Sequence, residues 1–277
     1  VTPLGFTLIV LGISYAAGLL GSLVGVGGGI IVVPALTLLL GVSIQKAIAA
    51  SIISVIATSS GAASAYVRER VANLRLAMFL EMATVAGALT GAYAATIVGG
   101  RWLFVIFGVV LTYTAWSMSR PKRTDAGPVP DDPWADRLRL HSSYFDRALG
   151  REVPYRVARS KLGLAVSYLA GAVSGLLGIG GGVLKVPVMN LAMGIPIKAC
   201  TATSNFMIGV TAATSAAVYF MRGEVQPFVA APVAIGVLLG AKCGARLMGR
   251  LPGHLIRAVF VAVLVVSAGQ MLWKGLR

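Results

Sequence analysis

Long uninterrupted apolar runs alternate along the chain with short polar or Gly/Pro-containing breaks. The runs fall at 3–22, 29–41, 47–66, 76–98 and 101–119, and again at 162–177, 182–194, 198–220, 227–248 and 255–273. Most approach the roughly 20 apolar residues a helix needs to cross a bilayer. They are continuous, whereas strands of a membrane barrel would alternate. The predicted elements are therefore helices, five in each set, with the second of each set too short to cross. Between the sets lies Arg120 to Lys161, a Pro- and charge-rich stretch holding ten Lys or Arg and six of the nine acidic residues. Within it, Trp134 to Leu149 has helical apolar spacing. The chain thus divides into a first membrane repeat (1–119), a charged loop (120–161) and a second membrane repeat (162–277).

The two sets are copies. Gly25-Val26-Gly27-Gly28-Gly29-Ile30-Ile31-Val32-Val33-Pro34 matches Gly178-Ile179-Gly180-Gly181-Gly182-Val183-Leu184-Lys185-Val186-Pro187 at an offset of 153 residues. The same offset carries Gly41 to Gly194, Ser51 to Ser204, Tyr66 to Tyr219, Gly87 to Gly240 and Gly91 to Gly244. Such a period indicates duplication. Basic residues orient the copies. With the 120–161 loop cytoplasmic, Arg68, Arg70, Arg75, Arg246, Arg250 and Arg257 also fall inside, leaving Lys46, Arg101 and Arg222 outside. That sorting needs an odd number of crossings between the copies. The expected fold class is all-α integral membrane, with two inverted-topology repeats of about five hydrophobic segments each and glycine-broken short helices, a plan frequent among secondary transporters.

Composition agrees. Of 277 residues, 57% are hydrophobic and only 12% charged, with a mean hydropathy of +0.85, against about 45–50% apolar and 25% charged in soluble domains. The net charge of +15 sits between apolar segments, where lipid headgroups account for it and nucleic acid is not needed. Val1 to Leu20 lacks a basic n-region and a small-residue cleavage site, so it reads as a first membrane helix. Cys200 and Cys243 fall in apolar stretches, away from any disulfide framework. His141 and His254 lie far apart in polar regions, which gives no basis for a metal, a cofactor or a catalytic dyad. Among the carboxylates only Glu81 falls within a span. Cation carriers usually need intramembrane acids, so the substrate expected is an anion.

Candidate binding residues follow from the breaks. Gly25, Gly27, Gly28 and Gly29, and their counterparts Gly178, Gly180, Gly181 and Gly182, interrupt the helix just before each short segment, and Pro34 or Pro187 limits it further. Interrupted backbone within hydrocarbon is tolerated where protein or a water-filled cavity satisfies it. The N–H groups and positive end of each short helix suit an anion. Glycine also serves close helix packing; two copies, each with a proline and a short segment, favour a site. Ser51, Ser204 and Asn205 open the next helices and offer donors without fixed charge. Lys185 either attracts the anion or snorkels to a headgroup. Glu81 can carry a coupling proton, though a partly buried ion pair with Arg75 is the simpler account.

The doubled Gly-x-Gly-Gly-Gly with its Val-Pro, together with Ser51 and Ser204-Asn205, resembles the TauE/SafE family of sulfite and organosulfonate exporters. The resemblance covers nearly the whole chain. It implies a secondary transporter, not an enzyme, that moves a small sulfur-containing anion such as sulfite or sulfoacetate across the inner membrane. Export would be coupled to an ion gradient, with protons as the candidate ion. A passive small-anion channel is the alternative, and a homodimer is compatible with the Gly-rich membrane surface.

Overall fold

The computed structural model describes residues 3–24, 28–68, 71–119, 130–146, 150–247 and 253–277. The first half contains α1 (Pro3–Val24), α2 (Gly29–Leu39), α3 (Ile44–Arg68), α4 (Leu74–Ile97) and α5 (Gly100–Ser119). The connecting stretch forms α6 (Pro133–Arg137), β1 (Ser142–Asp146) and β2 (Arg151–Tyr155), and the second half repeats the series as α7 (Ser160–Leu177), α8 (Gly182–Leu191), α9 (Ile197–Met221), α10 (Pro227–Leu247) and α11 (Gly253–Leu276). Among the described residues, Leu4–Gly21, Leu74–Ile97, Ser160–Leu177 and Pro227–Gly244 are long and apolar enough to cross a membrane. Outward-facing side chains such as Leu8, Met82, Leu169, Ile235 and Val265 are exposed hydrophobics. Hydroxyls turn inward: Ser51, Ser54, Thr84, Thr203, Ser204 and Thr211 are buried. That inversion of the soluble pattern marks an all-helical bundle whose solvent is lipid.

Packing pairs the halves crosswise. The first helix of each half lies along the fourth of the other, α1 on α10 and α4 on α7, while the third helices pack on each other, as do the fifth. Small residues make the crosswise pairs possible. A Cβ on Gly87 would collide with the Tyr168 carbonyl oxygen, one on Gly91 with that of Ala172, and reciprocally one on Gly171 with Thr84 and one on Gly175 with Ala88. On the other pair, Gly240 approaches the Tyr15 carbonyl and Gly18 the Val237 backbone in the same way. These backbones meet with no side chain between them, the arrangement small-residue repeats allow in lipid. The fifth helices are tied at their ends, where Arg101 donates from Nε to the Gly275 carbonyl and from Nη2 to that of Leu276, both at 2.9 Å, closing the carbonyl end of α11.

The connecting stretch departs from its helical spacing. Among the described residues there only Pro133–Arg137 is helical, and the chain then turns at Arg139 (φ 50°) into an antiparallel hairpin pairing Ser142 with Tyr155, Tyr144 with Val153 and Asp146 with Arg151. The reason is tertiary. Ala135, Leu140, Tyr144, Tyr155 and Val157 share one buried cluster with Leu76 and Leu80 of α4, Met189 of α8, Met193 after it, and Ala199, Cys200 and Met207 of α9. A hairpin presents Tyr144 and Tyr155 on one face, with ring centroids 6.4 Å apart, where a continued helix would not. Asn73 fastens the unit by donating from Nδ2 to the Leu140 carbonyl at 2.8 Å. Asp132 caps α6 through Trp134 and Ala135 and also accepts from the N–H of Ser160, the first residue of α7.

Candidate functional site

Each half breaks after its first helix. In the second half α7 ends at Leu177, the chain passes through Gly178 (φ 70°), Gly180 (φ 78°) and Gly181 (φ 69°), and α8 starts at Gly182. Those left-handed conformations are strained for any residue with a Cβ, which is why glycine is needed there. In the first half Gly28 precedes α2, which starts at Gly29; Gly25 and Gly27 lie outside the described residues. Both α2 and α8 carry a proline at their sixth residue, Pro34 and Pro187. At about 1.5 Å per residue each spans roughly 15 Å, half of a hydrocarbon core.

The third helices bring the breaks together. Ser51 of α3 donates its hydroxyl to the Gly178 carbonyl at 2.8 Å and approaches the Gly29 carbonyl at 3.2 Å, so one side chain joins the breaks of both halves. Its hydrogen is spent on backbone in this arrangement. Its counterpart Ser204, on α9, is buried with no hydrogen-bond partner for its Oγ. Space at the junction is tight: a Cβ on Gly29 would stand 2.6 Å from Ser51 Oγ and 3.0 Å from the Gly178 carbonyl, and one on Gly182 would stand 3.1 Å from Ser204 Oγ. Asn205 is half-buried, and its backbone oxygen accepts from Ser59 of α3 at 2.6 Å.

Lys185 does not reach a headgroup region. It is 2% exposed on α8, one turn past Gly182, and its ammonium donates to Thr211 Oγ1 of α9 at 3.1 Å. Thr211 in turn donates to Glu81 Oε1 of α4 at 2.7 Å, and Lys185 Nζ lies 3.8 Å from Glu81 Oε2. Glu81 is 5% exposed, and this Oε2 has no hydrogen-bond partner. The expected partner of Glu81 was Arg75; instead Arg75 is exposed and the carboxylate turns inward to the lysine. The periodicity of α4 explains this, since Leu76, Ala77, Leu80, Glu81 and Thr84 lie on its buried face. Lys242, by contrast, is exposed on α10. Thr211 was missed by sequence reasoning. The signal that points to it is its spacing from Ser204, seven residues and two turns along the same face of α9, together with the rule that ionisable groups within a membrane pair with one another.

Around the breaks, Ser51 ties Gly29 to Gly178, Gly182 stands against Ser204, and Lys185 follows one turn along α8 with its ammonium 3.8 Å from the Glu81 carboxylate, so this interior region holds interrupted backbone, hydroxyls and one buried ion pair. Such a region can receive a small anion through N–H and O–H donors and a cation. Among the described residues no three His, Cys, Asp or Glu side chains gather where they would hold a metal ion.

Comparison with known proteins fits this architecture. Residues 10–271 match the family model described as Sulfite exporter TauE/SafE. The chain is 28% identical over 279 residues to the "Probable membrane transporter protein YunE" of Bacillus subtilis (strain 168), covering 97% of each chain. A "Probable membrane transporter protein" of Xylella fastidiosa (strain 9a5c) is 26% identical over 71% of this chain and 66% of its own length. The "Sulfite exporter TauE/SafE family protein 5" of Arabidopsis thaliana is 44% identical over a 59-residue segment, 21% of this chain and 13% of that protein. No solved structure matches. Since the family model takes in both helix breaks and all ten membrane-repeat helices in whole or part, the chain belongs to the sulfite exporter TauE/SafE family, a family of membrane transporters and not of enzymes.

Proposed function

We propose that the protein is a secondary transporter that moves a small sulfur-containing anion, sulfite, sulfoacetate or a related organosulfonate, across the inner membrane, as an exporter coupled to an ion gradient. The observation that carries the reading is the junction at Ser51, where the chain at the breaks of both halves meets, with the buried Lys185 one turn past Gly182 on α8. A site shared between repeats can be opened to either side by rocking one half against the other. The two halves insert with inverted topology, the 120–161 stretch faces the cytoplasm, and Gly28, Gly29, Gly180 to Gly182, Ser204 and Asn205 supply backbone and side-chain donors to the anion. Gly25 and Gly27 extend the same set in the first half. The family description names sulfite, and the scarcity of carboxylates within the spans favours an anion over a cation.

Flux of sulfite, sulfate, thiosulfate and sulfoacetate through proteoliposomes, with and without an imposed proton gradient, tests this. Saturable movement of one of them that responds to the gradient supports the carrier. Movement that does not saturate and follows the electrochemical gradient of the anion alone assigns a channel. Failure to move any of the four removes the sulfur-anion reading.

A further inference from the structure

The Lys185–Glu81 pair is unnecessary for the fold. Under the 153-residue offset Lys185 corresponds to Val32, Glu81 to Ala234 and Thr211 to Thr58. Val32 is fully buried, so an equivalent place in the same bundle is filled without charge. Replacing a buried ion pair by apolar side chains is often neutral or stabilising, so packing alone gives no reason to keep one in the second half. The pair is also under-bonded. Lys185 Nζ has three hydrogens, and among the described residues one goes to Thr211 while Glu81 Oε2 accepts none, at 3.8 Å from the ammonium. Buried polar groups normally complete their hydrogen bonds. Lys185 follows the glycine break by one turn of α8, and both groups meet Thr211, seven residues along α9 from Ser204, whose Oγ has no partner among the described residues.

We propose that Lys185, Glu81 and Thr211 form an exchange site that binds one proton with each anion. The proposal rests on the anion-transport reading above. An incoming oxyanion takes the Lys185 ammonium from Glu81. The carboxylate would then be an uncompensated charge in a water-poor interior, and it is neutralised by a proton from the aqueous phase, bound at Oε2. Thr211 keeps both groups in place through the change, because its hydroxyl accepts from the ammonium and donates to Oε1. Release of the anion returns the ammonium to Glu81 and expels the proton on the same side, so the two cross together and the outward gradient of the anion carries a proton out with it.

Other ionisable groups on the elements around the pair are engaged elsewhere. Arg75 and Tyr93 of α4, Lys161 of α7 and Lys198 of α9 are exposed. Tyr168 of α7 meets Thr90 Oγ1 at 3.2 Å, Cys200 of α9 donates to the Ile195 carbonyl and Tyr219 to that of Gly175. In α8 Lys185 is the sole titratable residue. Among the described residues the one ion pair that either group makes is the Lys185–Glu81 contact itself, at 3.8 Å.

The test is proton uptake on anion binding. Detergent-purified protein in weakly buffered solution with a pH indicator is titrated with sulfate and with methanesulfonate, which carry no proton of their own near neutrality. The wild type is expected to take up one proton per anion bound, with apparent affinity falling about tenfold per pH unit. Glu81→Gln keeps the shape and the Thr211 contact, and is expected to bind the anion at least tenfold tighter at neutral pH, with no proton uptake and no pH dependence. A double variant carrying Glu81→Ala and Lys185→Val copies the first half, so it is expected to remain monodisperse and bind neither anion nor proton. Anion binding by the wild type without proton uptake overturns the exchange site while leaving the anion reading standing, and so does uptake that persists in Glu81→Gln. A wild type that binds neither probe overturns both.

Discussion

Gly181 sets the entry of α8: its backbone is left-handed, and an added Cβ would stand 2.9 Å from the Ala170 carbonyl oxygen. Gly181→Leu is expected to reduce flux to background while the protein still reaches the membrane, because the left-handed conformation alone costs about 1–2 kcal/mol at the end of a single short helix. Flux in proteoliposomes, set against the amount of reconstituted protein, checks it; normal flux would move the site elsewhere. Ser51→Ala removes the hydrogen bond that joins the two breaks and takes a donor from the buried Gly178 carbonyl. The expected loss is about 1–3 kcal/mol, read as a lower unfolding midpoint in detergent. Ser204→Ala is expected to leave that midpoint within about 0.5 kcal/mol, since its hydroxyl has no partner among the described residues, and to act on anion affinity instead. These two serines occupy equivalent positions in sequence. That one closes a backbone junction and the other stands unpartnered depends on neighbours 127 residues away in the case of Ser51 and Gly178, which no local pattern carries.

At the level of elements, the glycine faces of α4 and α7 determine whether the halves assemble. Gly91→Val is expected to abolish recovery of monodisperse protein because the obstacle is the Ala172 backbone, which cannot turn aside. Gly12→Val, where nothing lies within 4 Å, is the matched control and is expected to behave as wild type in size-exclusion chromatography. The hairpin insertion depends on Asp132. Burial opposes ionisation of its carboxyl, but the N–H groups of Ser160, Ala135 and Trp134 outweigh it and hold the carboxyl below the usual carboxylate range. A group with a lowered folded value contributes stability above its unfolded pKa and loses it as pH falls through the folded one. Proteolysis within 130–159 is therefore expected to accelerate at about pH 3 relative to pH 7. Asp132→Asn is expected to produce part of that acceleration at pH 7. The helical spacing of Trp134 to Leu149 was misleading here, since alternate residues of a hairpin also supply an apolar face when a cluster such as Leu80, Met189 and Met207 is there to receive it.

For the whole molecule, crosswise pairing of first and fourth helices means that neither half is complete alone. Each half buries its glycine face against the other, so the halves expressed separately are expected to recover function only when present together, measured as flux after co-reconstitution. The order of amino acids alone located the ten membrane-repeat helices, their boundaries to within a few residues, the match between the halves at an offset of 153 and the short second helix of each half. It could do so because apolar run length, glycine breaks and repetition are local properties, written out in order along the chain. Tertiary structure decided that Glu81 meets Lys185 and not Arg75, that Thr211 stands between them, that Ser51 bridges both breaks and that the charged insertion folds back as a hairpin over α4, α8 and α9. Each of these is a choice among partners distant in sequence. In a water-poor interior, a charge or hydroxyl is placed by whichever partner the packing of backbones brings within reach.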